Sequence, residues 1–155
     1  MPRLREQLQT DLPLDEAFRF IADFANASRW DPGVAHAERI GDAGPVGVGA
    51  RYRLGIRMGG GVSPMEYRIT TFEPPHRVVL AGDGRGVSAT DDIRFEATAS
   101  GTQVDYLADI RLRGLRSLLT PFARAAFARI ARDARNGMQQ ALDDLARRRS
   151  AEAAG

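Results

Sequence analysis

The sequence contains no cysteine and no lysine, and it has only two histidines among its 155 residues. Without cysteine there is no thiolate nucleophile, and without lysine there is neither a Schiff-base amine nor the lysine of a phosphate-binding loop. The histidines, His36 and His76, lie in different segments and lack carboxylates at metal-ligand spacing. We therefore expect no metal ion and no cofactor, and an enzyme built on this sequence would work without metal or covalent Cys or Lys chemistry.

Long apolar runs are also missing. No stretch approaches the roughly 18 apolar residues of a membrane span, and the first residues, Met1–Glu6, lack the apolar region of a signal peptide. We therefore expect a cytoplasmic protein with no stable membrane insertion. The length suits one domain with a substantial core, which we place at residues 1–149, followed by a disordered tail at 150–155.

All 22 basic residues are arginine, and together with abundant Ala and Gly this composition suggests a bacterial coding bias. The net charge is only +2, but residues 111–149 carry ten Arg against three Asp. Such a segment could touch an anionic membrane or nucleic acid. A solvated outer helix face is the simpler explanation, and we expect no nucleic-acid partner. A homodimer, and an accessory role in which this face binds a partner protein, are alternatives that the sequence leaves open.

Apolar and polar residues alternate along much of the chain, which predicts half-buried strands. The first strand covers Arg3–Thr10 and places Glu6 on its apolar face. Helical spacing follows at Leu14–Ala25, with a second short helix at Asn26–Trp30. Further strands are predicted at Val34–Ile40, Ala50–Met58, Met65–Phe72, Arg77–Ala81, Val87–Ala97 and Thr102–Arg113. Because short turns join most of them, the sheet should be antiparallel.

The last segment, Leu115–Arg149, has the spacing of one long amphipathic helix, with Thr120-Pro121 as a start or a kink. Large side chains occupy its inward face at Leu119, Phe127, Ile130, Met138, Leu142 and Leu145. Small residues follow the midline of that face at Ala123, Ala126, Ala134, Gly137 and Ala141. This pattern predicts a groove facing the sheet, with Gly137 as its most informative position. The fold class is therefore α+β, with about seven antiparallel strands, two short helices after the first strand and a long C-terminal helix.

Several short motifs, in this order and spacing, resemble the START-related SRPBCC superfamily, and in particular its polyketide cyclase/dehydrase and lipid-transport branch. They are Leu12–Phe18, Phe24, Trp30–Pro32, the loop glycines Gly44, Gly47 and Gly49 leading into Arg51-Tyr52, Ile69–Arg77, and Gly101–Val104. The resemblance implies a helix-grip fold, in which a curved sheet wraps around the long helix with a hydrophobic cavity between them. It implies no shared catalytic residue, because the superfamily includes enzymes, carriers and partner-binding proteins.

Strand and helix parity predicts which side chains would line such a cavity. The expected ligand contacts are Trp30, Tyr52, Leu54, Tyr67, Ile69, Phe95, Tyr106, Ala108, Ala126, Phe127, Ile130, Ala134, Gly137 and Met138. Trp30 has a second interpretation as a wedge between helix and sheet. The tyrosines offer a flat ring and one hydroxyl each, which suits an aromatic or polyketide-like ligand, although they could equally fill the core.

Asp91, Tyr106 and Glu6 are the candidate catalytic residues, because each shares the parity of apolar inward neighbours. A carboxyl in an apolar pocket has a raised pKa and can act as a general base. The leading hypothesis is binding of a small hydrophobic or aromatic, lipid- or polyketide-like ligand. The alternatives are a cyclase or dehydratase that works by proton transfer, and the partner-binding accessory protein.

Overall fold

The computed structural model describes residues 3–41, 44–58, 60–113 and 121–154, with side chains from residue 125 onward in the last range. The elements in chain order are β1 (Arg3–Thr10), α1 (Leu14–Ala22), a 3₁₀ helix (Phe24–Asn26), α2 (Ala27–Trp30), β2 (Val34–Ile40), β3 (Arg51–Met58), β4 (Gly61–Glu73), β5 (Arg77–Gly84), β6 (Val87–Ala97), β7 (Thr102–Leu112) and α3 (Pro121–Ala154).

The strands form one curved antiparallel sheet in the order β1-β7-β6-β5-β4-β3-β2. Strands β2 to β7 are sequential neighbours, as tight connections require, while β1 pairs with β7 at the other edge. The predicted α+β class with a helix-grip fold is therefore confirmed. Strands β4 and β5 are longer than predicted, because Met65 pairs with Gly84 beyond the apolar stretch of β5.

One half of the concave sheet face is filled by aromatic side chains from the first helices. The Phe18 ring lies 5.4 Å from Phe72 and 5.2 Å from Phe95, measured between ring centroids. The Phe24 ring lies 6.4 Å from Tyr52 and 5.4 Å from Tyr67. Edge and tilted contacts of this kind are favourable between aromatic rings. This half of the face is a closed core.

The long helix α3 packs against β1 and α2. Met138 and Leu142 are fully buried. The Thr10 hydroxyl donates to Asp143 Oδ1 at 3.1 Å, and Arg149 Nε donates to Glu16 Oε1 at 2.8 Å. These contacts fix α3 to the end of β1 and to α1. No helix in the described ranges is both long and apolar enough to cross a membrane.

The bounds and faces of α3 differ from the sequence prediction in three ways. The predicted helical positions 115–120, including Leu119, and the side chain of Ala123 lie outside the described residues. The helix continues to Ala154 instead of giving way to a disordered tail after Arg149, because residues 151–154 are good helix formers. Ala126 and Ile130 are exposed instead of buried, since this stretch borders an opening and not the packed core.

Candidate functional site

A cavity of about 210 Å³ lies between the other half of the concave face and α3. Its sheet wall comes from β1, β3, β4, β6 and β7, and its helix wall from the first half of α3. The apolar lining residues are Leu4, Leu8, Ile56, Met58, Met65, Val87, Ala89, Ala108, Ile110, Phe127, Ile130, Ala131, Ala134 and Met138. The polar groups of Glu6, Asp31, Arg57, Tyr67, Asp91, Tyr106 and Arg135 complete it.

The space comes from small residues on both walls. Ala89 and Ala108 lie on the concave face of the sheet, and Ala131 and Ala134 face them from α3. Gly82 on β5 allows the Tyr67 ring to lie flat on the sheet, because a Cβ at position 82 would approach Tyr67 Cε1 to 2.5 Å. The sheet therefore contributes as much to the cavity as the helix does.

Asp91 and Tyr106 form a hydrogen-bonded pair in the cavity wall. Asp91 on β6 pairs with Ala108, and Tyr106 on β7 pairs with Ile93, so the two side chains are diagonal neighbours on the same face. The Tyr106 hydroxyl donates to Asp91 Oδ2 at 2.6 Å. The Asp91 side chain is almost completely buried, with a residue exposure of 5%. The geometry thus places one carboxyl group at the cavity in an apolar surrounding.

Burial raises the pKa of Asp91 to about 7, against its ordinary 3.8, because the charged form loses its hydration. The hydrogen bond from Tyr106 lowers this pKa, and the nearby Asp31 raises it, but burial has the largest effect. Burial also raises the pKa values of Tyr67 and Tyr106 well above that of a free phenol, and the charge of Asp91 adds to both shifts. Both tyrosines are therefore neutral hydrogen-bond donors at physiological pH.

Asp31 is a second carboxyl group at the cavity, and the sequence indicates it only as part of the Trp30–Pro32 motif. It follows α2 directly, and its Oδ1 accepts a hydrogen bond from the Gly33 backbone N–H at 2.8 Å. Burial raises the pKa of Asp31, the Gly33 hydrogen bond opposes that rise, and the charge of Asp133 adds to it. An acidic residue between Trp30 and Pro32 was the available signal, but nothing local shows that the turn points it toward α3.

Comparison with known proteins identifies the family. Residues 1–149 match the family model described as polyketide cyclase / dehydrase and lipid transport. The chain belongs to this family. The family's description includes both a cyclase or dehydrase activity and a transport role, so membership alone does not choose between catalysis and binding. No curated protein matches the sequence significantly.

Solved structures similar to this family member share its fold. An aromatase/cyclase named Zhui from a Streptomyces species has a TM-score of 0.74 at 17% identity, with 96% of this chain and 95% of that chain covered. A START superfamily protein from Mycobacterium smegmatis has a TM-score of 0.77 at 8% identity, covering 92% and 98%. A conserved protein from Geobacillus kaustophilus has a TM-score of 0.68 at 16% identity, covering 91% and 95%. At these identities the similarity is one of fold.

The structure divides the predicted ligand contacts of this cyclase/dehydrase and lipid-transport family member into two groups. Those that border the cavity are Tyr67, Tyr106, Ala108, Phe127, Ile130, Ala134 and Met138. Those that lie away from it are Trp30, Tyr52, Leu54, Ile69, Phe95, Ala126 and Gly137. The buried residues of the second group belong to the closed core, because the first helices and not α3 cover that half of the sheet. Parity predicts the face of a strand but not which helix covers it.

Gly137 and Trp30 have structural roles that correct the prediction of a groove along α3. A Cβ at position 137 would lie 2.0 Å from the Trp30 carbonyl oxygen and 3.1 Å from Pro32 Cδ. Gly137 therefore allows α3 to touch the end of α2, and it does not border the cavity. Trp30 packs behind the site, with its ring 6.0 Å from Tyr106 and 6.1 Å from Phe24, which is the wedge interpretation.

The remaining candidates are placed as follows. Glu6 is half-buried and borders the cavity from β1. His36 is exposed, and its ring lies over Gly55. His76 is exposed, and its Nδ1 is 3.3 Å from the Phe95 carbonyl oxygen. Neither histidine borders the cavity. Within the described ranges, no group of three or more His, Asp or Glu side chains is arranged around a common metal position.

Proposed function

We propose that the protein binds a small hydrophobic or aromatic ligand, of a lipid-like or polyketide-like class, in the cavity between the sheet and α3. The observation that supports this most directly is an open space of about 210 Å³ beside a closed aromatic core. Protein interiors are close-packed, so a space of this size needs a reason. An apolar lining with a few convergent polar groups is typical of small-molecule sites.

The side chains at the mouth add to this argument. Ile130 and Met58 border the cavity and are 50% and 43% exposed. Phe127 is half-buried beside them. A bound apolar molecule would remove these surfaces from water, and each square ångström of apolar surface removed contributes about 25 cal/mol. Ligand binding would therefore bury apolar side chains that are exposed to water in the free protein.

The proposal is tested by filling the cavity from the helix. We expect Ala134→Leu to weaken binding of the neutral fluorescent probe N-phenyl-naphthylamine by about tenfold, because overpacking costs about 1–3 kcal/mol. Ala134 borders the cavity, whereas Ala151 is exposed near the end of the same helix. Ala151→Leu is therefore the matched control and should bind the probe as the wild type does. Equal affinities for all three proteins, or no binding by the wild type, would contradict the proposal.

A second candidate function is proton-transfer catalysis of the cyclase or dehydratase kind. The supporting observation is Asp91, buried at the cavity with its pKa raised to about 7 mainly by burial. A base of this pKa is well suited to act near neutral pH. In this reaction Asp91 would take a proton from the carbon next to a ketone carbonyl. The Tyr67 hydroxyl, also at the cavity, would donate a hydrogen bond to the enolate oxygen that forms.

Hydrogen exchange into an aromatic ketone tests this second function. In D₂O, the wild type should accelerate deuterium incorporation next to the carbonyl of α-tetralone, measured by mass spectrometry. The rate should rise with pH and level off above about 7, since the ionised form of Asp91 is the base. Asp91→Asn should exchange at the solvent rate, while Asp92→Asn, which changes the neighbouring outward residue, should exchange like the wild type. Exchange that is equally fast in Asp91→Asn would exclude Asp91 as the base.

A cytoplasmic location and a homodimer stay predictions from the sequence. The accessory role of the arginine-rich helix face also stays a prediction. It would be tested by whether Arg132→Ala reduces a salt-sensitive association of the purified protein.

A further inference from the structure

Carboxyl groups outnumber arginines among the polar residues that line the cavity. Asp31, Asp91 and Glu6 contribute carboxyl groups, and Tyr67 and Tyr106 contribute phenol hydroxyls. They come from β1, β4, β6, β7 and the turn after α2, so the acidic character belongs to the cavity as a whole and not to one loop. The sequence has no lysine that could neutralise them.

The two arginines at the cavity direct hydrogen bonds to backbone oxygens. Arg57 Nε donates to the Pro32 carbonyl oxygen at 3.1 Å, and Arg135 Nε donates to the Gln7 carbonyl oxygen at 3.2 Å. Both contacts are on exposed parts of the chain. These guanidinium groups therefore lie at the rim and are already engaged there.

None of the three cavity carboxylates takes part in an ion pair within the described part of the chain. The contrast with the next residue is direct. Asp92, on the outer face of β6, accepts from Arg77 Nε at 3.1 Å and from Arg77 Nη2 at 3.0 Å. Asp92 is thus paired with arginine, while the carboxylates at the cavity form no ion pair among the described residues. A buried charge without a partner is unfavourable.

Two buried residues at the cavity also have hydrogen-bonding capacity that no described protein group uses. Tyr67 is 7% exposed, and its hydroxyl makes no hydrogen bond among the residues that the structure describes. Asp91 is 5% exposed, and only its Oδ2 accepts a hydrogen bond there, which leaves Oδ1 free. Neither atom is among the fully buried side-chain atoms that lack a partner. Both residues border the cavity, so a molecule in the cavity can supply their partners.

We propose that the cavity binds a hydrophobic amine, whose ammonium group is held by Asp31 and Asp91. This proposal rests on the proposed ligand-binding function and names the chemical class of the ligand. A primary ammonium offers three hydrogen donors and no acceptor. We assign two of these donors to the carboxylates of Asp31 and Asp91 and the third to the Tyr67 oxygen, since all three residues border the cavity.

The rest of the cavity fits the apolar part of such a ligand. Val87, Ile110, Phe127 and Ile130 line it without polar side-chain atoms. The rings of tyrosines beside an ammonium add a cation–π attraction. A carboxylate or phosphate ligand of the same size is disfavoured, because it would meet three carboxyl groups, whereas the two arginines lie at the rim with Nε bonded to backbone oxygens. The cavity therefore selects for positive charge as well as for apolar shape.

The test compares three ligands of one shape by isothermal titration calorimetry near pH 8, where Asp91, with a pKa of about 7, is mostly ionised. The ligands are naphthylmethylamine, the neutral naphthylmethanol and the anionic naphthoic acid. We expect the amine to bind at least about tenfold more tightly than the alcohol, and the acid to bind least, because hydrogen bonds to charged groups are the stronger ones.

Substitutions of the two aspartates test whether these residues cause the preference for the amine. Asp31→Asn and Asp91→Asn should each reduce the ratio of amine affinity to alcohol affinity about tenfold. Asp92→Asn should leave both affinities unchanged. The comparison of the three ligands uses the wild type alone, so it remains valid even if one of the variants fails to fold.

The outcomes separate this inference from the proposed function. If the alcohol and N-phenyl-naphthylamine bind but the amine binds no more tightly, the amine proposal is wrong and the ligand-binding function stands. If none of these compounds binds the wild type, both proposals are overturned. An amine preference that survives in both Asp31→Asn and Asp91→Asn also overturns the assignment.

Discussion

Asp91 shows how one residue sets the electrostatics of the whole cavity. It sits in an apolar wall with a single donor, Tyr106, and burial raises its pKa to about 7. The folded protein therefore keeps a proton on Asp91 that the unfolded chain would release above its ordinary pKa of 3.8. A pKa raised on folding means that stability is fully present below the unfolded value and is lost as the pH rises through the folded value.

The first prediction follows from this linkage. Wild-type stability should fall between about pH 4 and pH 7 through Asp91, by on the order of 4 kcal/mol, because one pKa unit corresponds to about 1.4 kcal/mol. Asp91→Asn removes the titration and keeps an acceptor for Tyr106. The variant should exceed the wild-type stability modestly near pH 5 and by more near pH 8, as measured by urea unfolding. Asp31, Tyr67 and both histidines are present in both proteins, so their contributions cancel in the difference.

Asp92→Asn is the control for this prediction, with the opposite sign. Partial burial raises the pKa of Asp92, but the hydrogen bonds from Arg77 and Arg94 outweigh this and lower it. The stability that Asp92 contributes is therefore present above its unfolded pKa and is lost only as the pH falls through the lower folded value. Asp92→Asn should destabilise the protein equally near pH 5 and near pH 8. A pH-independent difference for Asp91→Asn as well would show that Asp91 has no raised pKa.

Among the elements, α3 carries the least expected arrangement. The small residues along the middle of its inward face predict a groove, yet Gly137 on that face touches the backbone at the end of α2. The space for a ligand lies toward the start of the helix, at Phe127, Ile130 and Ala134. One helix face thus performs two tasks, docking in its second half and bordering the cavity in its first half.

The second prediction tests the close approach at Gly137. Ala has a helix propensity better than Gly by about 1 kcal/mol, so Gly137→Ala on an uncrowded helix face would stabilise the protein. Here the added Cβ would meet the Trp30 carbonyl oxygen at 2.0 Å. We therefore expect Gly137→Ala to reduce the free energy of unfolding by about 1–3 kcal/mol, as overpacking does. Thermal and chemical unfolding measure this.

Ser150→Ala, at an exposed position of the same helix, is the matched control and should be neutral or slightly stabilising. A stabilising Gly137→Ala would mean that α3 does not approach α2 as closely as described. Probe binding by Gly137→Ala, measured where the variant is folded, should stay near the wild-type value because Gly137 does not border the cavity.

The concave face of the sheet has two halves, one packed as a core and one bordering the cavity. The aromatic core under α1 holds the first helices on the sheet, and the cavity under α3 leaves apolar side chains uncovered. An all-core protein of this size would close both halves. The open half lowers the stability of the folded protein. A ligand can recover that stability, since any molecule that binds only the folded state stabilises it.

The third prediction separates the two halves with a pair of phenylalanine substitutions. Phe18→Ala in the core should cost about 3–5 kcal/mol of stability, because Phe18 is 2% exposed and contacts two other rings. Binding of N-phenyl-naphthylamine per folded molecule should be unchanged. Phe127→Ala at the cavity should cost less stability and should change probe affinity. Loss of probe affinity in Phe18→Ala would show that the halves are not independent.

Much of the fold was predictable because strand patterns are local. Alternation along β7 placed Tyr106 and Ala108 on the inner face, and the parity of Asp91 with Ile93 and Phe95 placed it beside them. Tyr52 and Phe95 were assigned to the correct face but to the wrong half of it. The alternation of apolar and polar residues in a strand indicates that one face is covered, but it does not indicate which helix covers that face.

By itself, the sequence determined the order of the elements, the antiparallel sheet, the inward face of each strand and the absence of Cys and Lys chemistry. These follow from residue types and from the periods of two and 3.6 residues, which act over a few neighbours. Only the tertiary structure decided that α1 closes half of the sheet, that Gly137 serves a helix contact and that Asp31 joins Asp91 at the cavity. Those outcomes depend on where segments far apart in the chain meet. Packing between these segments determines the meeting points, and local periodicity does not.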